Sequence, residues 1–173
     1  MTSLQTSAPL ERLPLNEGNE PVAQVALREH LVLDPPYQRG DVWGPRRRRL
    51  LIQSLLRGLP VGDVFLNVRD DDLMTTAVID GKQRITTVRL FLDGHLSVPA
   101  SWFRDTDIEA TEATDDDLYV RYTGLTRIGQ RRFERARFTT QRLQLATVDE
   151  EAEMFTLINF GGVPQGQIDP DAD

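Results

Sequence analysis

The sequence predicts an α/β domain with a small mixed sheet and flanking helices. Short apolar runs typical of strands, such as residues 64–68, alternate with segments whose apolar residues recur at helical spacing, such as residues 83–92. The composition predicts one soluble globular domain with a closed core, because 173 residues with 39% apolar and 27% charged residues are typical of such domains.

The domain is predicted to span residues 21–166, between two tails. Residues 1–20 mix Pro, Ser, Thr, Asn and Gly without a sustained period, which is typical of a mobile N-terminal tail, and residues 167–173 form a C-terminal tail. No segment approaches the ~18 apolar residues of a membrane span, and the N-terminus lacks a signal-peptide pattern. We therefore expect a cytoplasmic protein without membrane contact.

Composition also limits the chemistry. Cysteine is absent and the histidines are His30 and His95, which excludes disulfides, thiol nucleophiles and His-rich metal sites, so that any metal would be a hard cation held by oxygen. The net charge of -7 argues against a large non-specific nucleic-acid footprint, although arginines cluster at 46–49 and 127–142. All but one of the 20 basic residues are arginine, and the exception is Lys82.

The first elements lie before residue 60. Residues 22–25 and 31–33 are predicted as two short strands, or as a strand and a helical turn. The prolines at 35–36 stop any helix, which makes residues 37–43 an ordered loop. Gly44-Pro45 then opens a helix, because proline suits the first helical position. Its predicted buried stripe is Leu51, Ile52, Leu55, Leu56 and Leu59.

A hairpin and a helix follow. Residues 64–68 form a strand, residues 70–72 a turn, and a second strand ends at Ile79. From Gln83 the apolar residues follow helical spacing until Asp93-Gly94, a C-terminal stop signal. The pair Asp80-Gly81 is therefore predicted to lie at a strand-to-helix turn.

Four more elements are predicted after residue 100. They are a strand at 118–122, a basic helix at 127–138, a strand at 143–148, and a helix at 150–159 capped by Asp149.

The strand-to-helix turn is the first candidate site. A glycine after a strand lets backbone donors approach a ligand, and the unpaired N–H groups at a helix start favour a phosphate. Lys82 and Arg84 add charge beside Gly81, and Asp80 is placed to hold a Mg²⁺-bound water or a ribose hydroxyl. In the alternative interpretation Asp80 caps the helix, Gly81 supplies a backbone angle, and the cations are solvated.

A second candidate is the loop Tyr37-Gln38-Arg39, where the arginine can clamp a phosphate and the tyrosine can stack on a base. Alternatively, Tyr37 is a packing residue and Arg39 pairs with a surface acid. A third candidate is Asn159 with Gly161 and Gly162, which is also typical of a glycine-rich helix end.

Basic helical segments suggest a weaker nucleic-acid site. Arg46 and Arg49 lie at the start of one predicted helix, and Arg131 and Arg135 lie on one side of another. A solvated helix end, or pairing with Glu134 within the helix, is the competing interpretation.

Four linked motifs carry a family resemblance. PPYQRGDVW, LLRGLPVGDVFL, VIDGKQRITTVRLFLDG and EMFTLINFGGVPQ resemble, in order and spacing over residues 22–165, the N-terminal domain of GmrSD-type restriction proteins, known as domain of unknown function 262. The resemblance implies a compact fold related to the ParB/sulfiredoxin domain, in which a strand-turn-helix motif binds nucleotide phosphates.

The resemblance also assigns residues. Asp80, Gly81, Gln83 and Arg84 match the family's Asp-Gly-Gln-Gln-Arg signature, while Tyr37, Gln38 and Arg39 match its Tyr-Gln-Arg loop and Asn159, Gly161 and Gly162 its late Asn-x-Gly-Gly element. Lys82 departs from the glutamine that the family usually has. A lysine there either strengthens phosphate attraction or marks a changed substrate.

The function implied is nucleotide binding with Mg²⁺-dependent nucleoside triphosphate hydrolysis, linked to DNA restriction, phage defence or phage DNA metabolism. Asp80, Arg84 and Arg39 are the expected catalytic residues, with Arg39 clamping the phosphate from the opposite wall. Expected partners are a nucleoside triphosphate, DNA, and a separate nuclease or effector subunit, since the chain lacks a His-rich nuclease motif. A DNA-binding or DNA-nicking ParB-like nuclease domain and a non-catalytic sensor are the alternatives.

Overall fold

A five-stranded mixed sheet organises the chain. The computed structural model describes residues 13–160, except residues 39, 41 and 116. The strands are β1 (Asn16–Pro21), β2 (Leu31–Val32), β3 (Val64–Val68), β4 (Thr76–Asp80), β5 (Ser97–Pro99), β6 (Glu112–Ala113), β7 (Leu118–Arg121) and β8 (Arg137–Leu143). The α-helices are α1 (Val22–Ala26), α2 (Pro45–Leu56), α3 (Lys82–Leu92), α4 (Arg127–Glu134) and α5 (Val148–Phe160).

The main sheet has the order β1-β8-β3-β4-β2. β1 is antiparallel to β8, β8 is parallel to β3, β3 is antiparallel to β4, and β4 is parallel to β2. This arrangement confirms the predicted α/β class with a small mixed sheet, and it confirms that β3 and β4 form a hairpin. β5, β7 and β6 form a second, antiparallel sheet.

Helices cover both faces of the main sheet. Side chains alternate along each strand, so the central strands present apolar side chains to both faces. Val64, Leu66 and Val78 point into the larger core, which α1 to α4 complete. Ile79 faces the other way, where it packs with Leu143 and with Met154 of α5. α5 is therefore held against the hairpin on the face opposite to α3.

The N-terminal strand differs from the prediction. Residues 16–20, which we predicted as part of a tail, pair along their length with β8. The segment NEGNEP has low strand propensity, so backbone pairing rather than local preference determines its conformation. Gly18 permits a close approach, since a Cβ atom there would lie 2.8 Å from Thr140 Oγ1.

Two assignments are corrected at the start of the domain. Residues 22–26 are a short helix and residues 31–32 a strand, so the two-strand alternative is wrong. Leu59 lies beyond the end of α2 and is 51% exposed, so it does not belong to the buried stripe.

Two later assignments are also corrected. The basic helix ends at Glu134 rather than at residue 138, and the following strand spans residues 137–143 rather than 143–148. Phe138 and Thr140 are buried while Arg137 and Thr139 are exposed, which is the alternation of a strand. The arginines continue at helical spacing up to residue 135, so the sequence did not reveal that the pattern changes from helix to strand at residue 137.

The start of α5 is fixed by a capping box rather than by Asp149. Thr147 Oγ1 accepts a hydrogen bond from the Glu150 N–H (3.2 Å), and the Glu150 carboxylate accepts from the N–H groups of Ala146 (2.8 Å) and Thr147 (3.4 Å). Within residues 13–160, no helix has the length and apolar character needed to span a bilayer.

Candidate functional site

The turn between β4 and α3 leaves the start of the helix open to a ligand. Gly81 is the N-cap residue, with a left-handed backbone (φ 103°, ψ 4°), and no side chain of the described residues caps α3. Asp80 therefore does not cap the helix, contrary to the alternative interpretation. The unpaired N–H groups of the first turn can instead donate to an anion.

Gly81 also has a steric role at this turn. A Cβ atom built on it would lie 3.0 Å from Val64 Cγ2 and 3.3 Å from Arg84 Nη2. Because the left-handed backbone and the close neighbours both disfavour a side chain, glycine is required for this turn.

Arg84 and Asp80 form a fixed ion pair one helical turn apart. Arg84 Nη2 lies 2.8 Å from Asp80 Oδ2 and also donates to the backbone carbonyl of Asp63 at 2.6 Å. Both side chains are partly exposed. The carboxylate and the guanidinium are therefore held at the helix start while remaining accessible to a ligand.

Lys82 is not a solvated cation. It is only 8% exposed, and its Nζ pairs with the carboxylate of Asp34, which is 82% exposed. The pair connects the first residue of α3 to the segment that precedes Tyr37. The positive charge of Lys82 thus lies within the wall of the site.

Gln83 and Gln38 tie the loop after β2 to the turn. The side-chain oxygen of Gln83 accepts from the N–H groups of Val42 and Trp43, both at 3.3 Å, and its nitrogen donates to the Gly40 carbonyl at 3.2 Å. Gln38 Nε2 donates to the carbonyls of residues 78 and 79 at 2.5 and 2.6 Å. The two glutamines therefore fix one wall of the site by hydrogen bonds to backbone.

These elements enclose a cavity of about 300 Å³. It brings together seven residues that the sequence predicted, namely Gln38, Asp80, Gly81, Lys82, Gln83, Arg84 and Asn159. Asn159 reaches the cavity from the last turn of α5, where its Nδ2 donates to the carbonyl of Phe155 at 2.9 Å. The remaining lining residues are Gly40, Val42, Trp43, Arg47 and Phe155.

Sequence reasoning did not assign Trp43, Arg47 or Phe155 to the site. The guanidinium of Arg47 lies 4.5 Å from the centre of the Trp43 ring, at the first turn of α2. Phe155 precedes Asn159 by one helical turn, so the spacing of four residues was the available signal. Together they give the cavity an aromatic side beside its charged side.

Tyr37 lies behind the cavity wall rather than in it. Its hydroxyl donates to the Glu151 carboxylate at 3.1 Å, and its ring lies 5.7 Å from that of Phe155. Burial, together with the charge of Glu151 and the hydrogen bond to it, raises the pKa of Tyr37 above its ordinary value. This arrangement fits packing rather than base stacking. Arg39, Gly161 and Gly162 lie outside the described residues.

The arginines at the start of α2 have separate environments. Arg46 is exposed, whereas Arg48 is buried and donates to the Trp43 carbonyl (3.0 Å) and to Thr87 Oγ1 (3.1 Å). Arg49 turns toward the second sheet, where it donates to the Ser97 carbonyl at 3.0 Å. Arg49 is therefore engaged within the protein, while Arg46 remains exposed.

A larger cavity, of about 770 Å³, lies at the other end of the hairpin. Its charged lining includes Arg69 and Glu151, which pair with each other at 2.6 Å. The lining also contains Asp70 and Asp71, so its acids outnumber its one arginine, whereas the basic residues outnumber the single acid Asp80 in the smaller cavity. The smaller cavity, with its open helix start, is therefore the better anion site.

The side chains that line the cavity could hold a metal ion only together with a ligand that supplies further oxygen atoms. No group of three or more His, Cys, Asp or Glu side chains in the described part of the chain is arranged to hold a metal ion. Asp80 contributes a single carboxylate to the cavity. Mg²⁺ usually takes one or two carboxylates together with substrate phosphates, so Asp80 suits an ion that arrives with a phosphate ligand.

Replacing Gly81 with alanine is expected to lower the free energy of unfolding by about 1–2 kcal/mol, because an L-residue is strained in this backbone region. Urea denaturation would measure the change. Gly44→Ala is the matched control, since Gly44 has open space around it and a φ of -76°. An equal effect of both changes would show that the left-handed turn is not the cause.

One family model matches most of the chain. The family model described as "GmrSD restriction endonuclease, N-terminal domain" matches residues 22–169. No curated protein and no solved structure matches the chain. The matched range contains every residue that lines the candidate cavity.

Proposed function

Because this chain belongs to the family of GmrSD restriction endonuclease N-terminal domains, we propose that it binds and hydrolyses nucleoside triphosphates in DNA restriction or defence. Family membership gives the restriction-related role. The observation that supports the nucleotide is the cavity bordered by an uncapped helix start and Arg84, with Lys82 in its wall. An uncapped helix start with two cations suits a phosphate group.

In the proposed complex the phosphates lie at the start of α3. Backbone N–H groups of the first turn donate to phosphate oxygens, and Arg84 neutralises the charge that develops during phosphoryl transfer. The contacts of Arg84 with Asp80 and with the Asp63 carbonyl hold the guanidinium in place before the ligand arrives. Pre-placed donors need little rearrangement when the charge develops, and this is why they stabilise a transition state.

Asp80 would hold Mg²⁺ together with the phosphates, and a bound Mg²⁺ would supply electrostatic stabilisation of the phosphoryl oxygens. Gln83 keeps Gly40, Val42 and Trp43 against the helix start through its hydrogen bonds to their backbone groups. Arg39 is proposed as a second phosphate contact on the basis of the family motif alone.

The aromatic side of the cavity favours a nucleotide over inorganic phosphate. Trp43 and Phe155 offer ring surfaces next to the charged groups, and bases stack well on such rings. Asn159 offers hydrogen-bonding groups at the same edge.

The direct test is phosphate release from each of the common nucleoside triphosphates, with and without Mg²⁺, together with a thermal-shift measurement for each ligand. A ligand that binds only the folded chain raises its melting temperature, so binding and turnover are scored separately. We expect Mg²⁺-dependent release from at least one nucleotide. Absence of both release and a thermal shift would contradict the proposal, and a shift without release would favour a non-catalytic sensor.

A plasmid-nicking assay tests the alternative that the domain is a nuclease. Supercoiled plasmid is incubated with the protein and Mg²⁺ or Mn²⁺. Open circles formed without any nucleotide hydrolysis would favour a DNA-nicking domain. An intact plasmid is the result expected from the proposed function.

A further inference from the structure

A second positively charged surface lies on α4, away from the cavity. Four side chains share one face of this helix and border a shallow depression of about 240 Å³, namely Ile128, Arg131, Arg132 and Arg135. The three arginines follow Ile128 by three, four and seven residues, so all four side chains lie on one side of the helix. We call this set the α4 arginine face.

The opposite side of α4 fixes the helix to the protein. Phe133 is fully buried, with its ring 4.8 Å from that of Phe91, and a Cβ atom on Gly129 would lie 2.4 Å from the Asp107 carbonyl oxygen. Thr126 caps the helix by accepting a hydrogen bond from the Gly129 N–H at 3.3 Å. The arginine face is therefore mounted on a rigid support.

The charge on this face is only partly balanced. Arg132 lies 3.1 Å from the carboxylate of the buried Asp107, and the nearby Glu134 pairs with Arg127 at 3.3 Å. In the described part of the chain, no acidic side chain forms an ion pair with Arg131 or Arg135.

Arg131 and Arg135 are also four residues apart on the helix. Like charges at this spacing repel and destabilise the helix. Both side chains are exposed, in a chain whose net charge is -7. A rigid face that keeps unbalanced positive charge in an acidic protein is suited to an anionic partner.

We propose that the α4 arginine face binds the phosphate backbone of duplex DNA. Guanidinium groups bind phosphate oxygens in pairs of hydrogen bonds, and Ile128, 62% exposed between them, offers an apolar contact for a sugar. Repeated phosphates at regular spacing match several arginines on one helix better than a single small anion does. The choice of DNA rests on the restriction-related function, whereas the anion preference rests on the face itself.

The test is the affinity of the full chain for a labelled DNA duplex, measured by fluorescence anisotropy over a series of salt concentrations. Each lost phosphate contact should reduce the slope of log K against log salt by about 0.9. The double variant Arg131→Ala/Arg135→Ala should therefore lose about 2 from the slope and bind more weakly. Arg57→Ala/Arg104→Ala removes the same charge from exposed positions elsewhere and should change the slope little.

Several outcomes would overturn the inference. The wild type could fail to bind DNA, or the slope could be the same in the wild type and in Arg131→Ala/Arg135→Ala. The slope could also fall equally in Arg131→Ala/Arg135→Ala and in the control variant. Arg131→Lys/Arg135→Lys keeps the charge and should retain most of the slope. A loss seen only in the alanine variant is then due to the lost charge rather than to misfolding caused by substitution at these positions. Nucleotide hydrolysis should be the same in all these variants, so that failure of the DNA surface is distinguishable from failure of the proposed nucleotide site.

Discussion

Replacing Arg84 with alanine is expected to slow nucleotide hydrolysis by about 10²–10³-fold, the usual cost of removing one fixed donor to a developing negative charge. The guanidinium is held by Asp80 at 2.8 Å and by the Asp63 carbonyl at 2.6 Å, next to the uncapped start of α3. Few other groups of the cavity combine full charge with such fixed geometry. Initial rates of phosphate release at saturating nucleotide and Mg²⁺ would measure the effect.

Asp80→Ala should cause a comparable loss, because it removes both the proposed Mg²⁺ ligand and the partner that orients Arg84. Asp93→Ala is the matched control, since Asp93 follows the other end of the same helix and does not line the cavity. Thermal melts would establish that each variant is folded. Wild-type rates in both Arg84→Ala and Asp80→Ala would remove the catalytic roles assigned to these residues.

Glu151→Ala is expected to lower the free energy of unfolding by about 3 kcal/mol. The carboxylate is 1% exposed and accepts hydrogen bonds from Arg69 (2.6 and 2.7 Å), Asn67 (2.8 Å) and Tyr37 (3.1 Å). Its loss leaves these donors without their acceptor between α5, β3 and the loop after β2. Since Phe155 and Asn159 belong to the same helix, the cavity should also bind nucleotide more weakly.

Chemical denaturation would measure this change, with Asp149→Ala as the control. Asp149 is exposed in the first turn of α5, where a carboxylate contributes about 0.3–1 kcal/mol through the helix dipole. A similar small effect of Glu151→Ala would contradict the proposed role of the network.

The contribution of Glu151 should also depend on pH. Burial opposes the charged form, but hydrogen bonds from Arg69 and Asn67 outweigh it and hold the pKa of Glu151 below its ordinary value of 4.5. A lowered folded-state pKa adds stability that is fully present above about pH 4.5 and is lost as the pH falls through the folded-state value. The difference in stability between wild type and Glu151→Gln should therefore shrink on acidification below pH 4.5.

The strand-turn-helix part of the site was predictable from sequence because its signals are local. Glycine after an apolar run, and helical spacing from Gln83 onward, are sufficient to place Gly81 at the turn. The meeting of this turn with Gln38 and Asn159 was expected from the family motifs, and the cavity contains all three.

Other features depend on contacts between distant segments, which single-sequence patterns do not encode. The role of Tyr37 follows from Glu151, which is 114 residues away, and local sequence favoured packing and stacking about equally. Arg47 and Arg48 are neighbours with opposite environments, because the direction of each side chain from α2 is decided by the packing of α2 on α3.

The edge strand has a consequence for how the chain acquires its structure. β1 is matched to β8 from Asn16↔Arg142 to Pro21↔Arg137, so its partner is translated more than a hundred residues later. Pairing over so long a separation carries a large loop-closure entropy and is typically slow. During synthesis on the ribosome the first strand must therefore wait for nearly the whole domain to emerge, and until it docks the β8 edge remains open to intermolecular association.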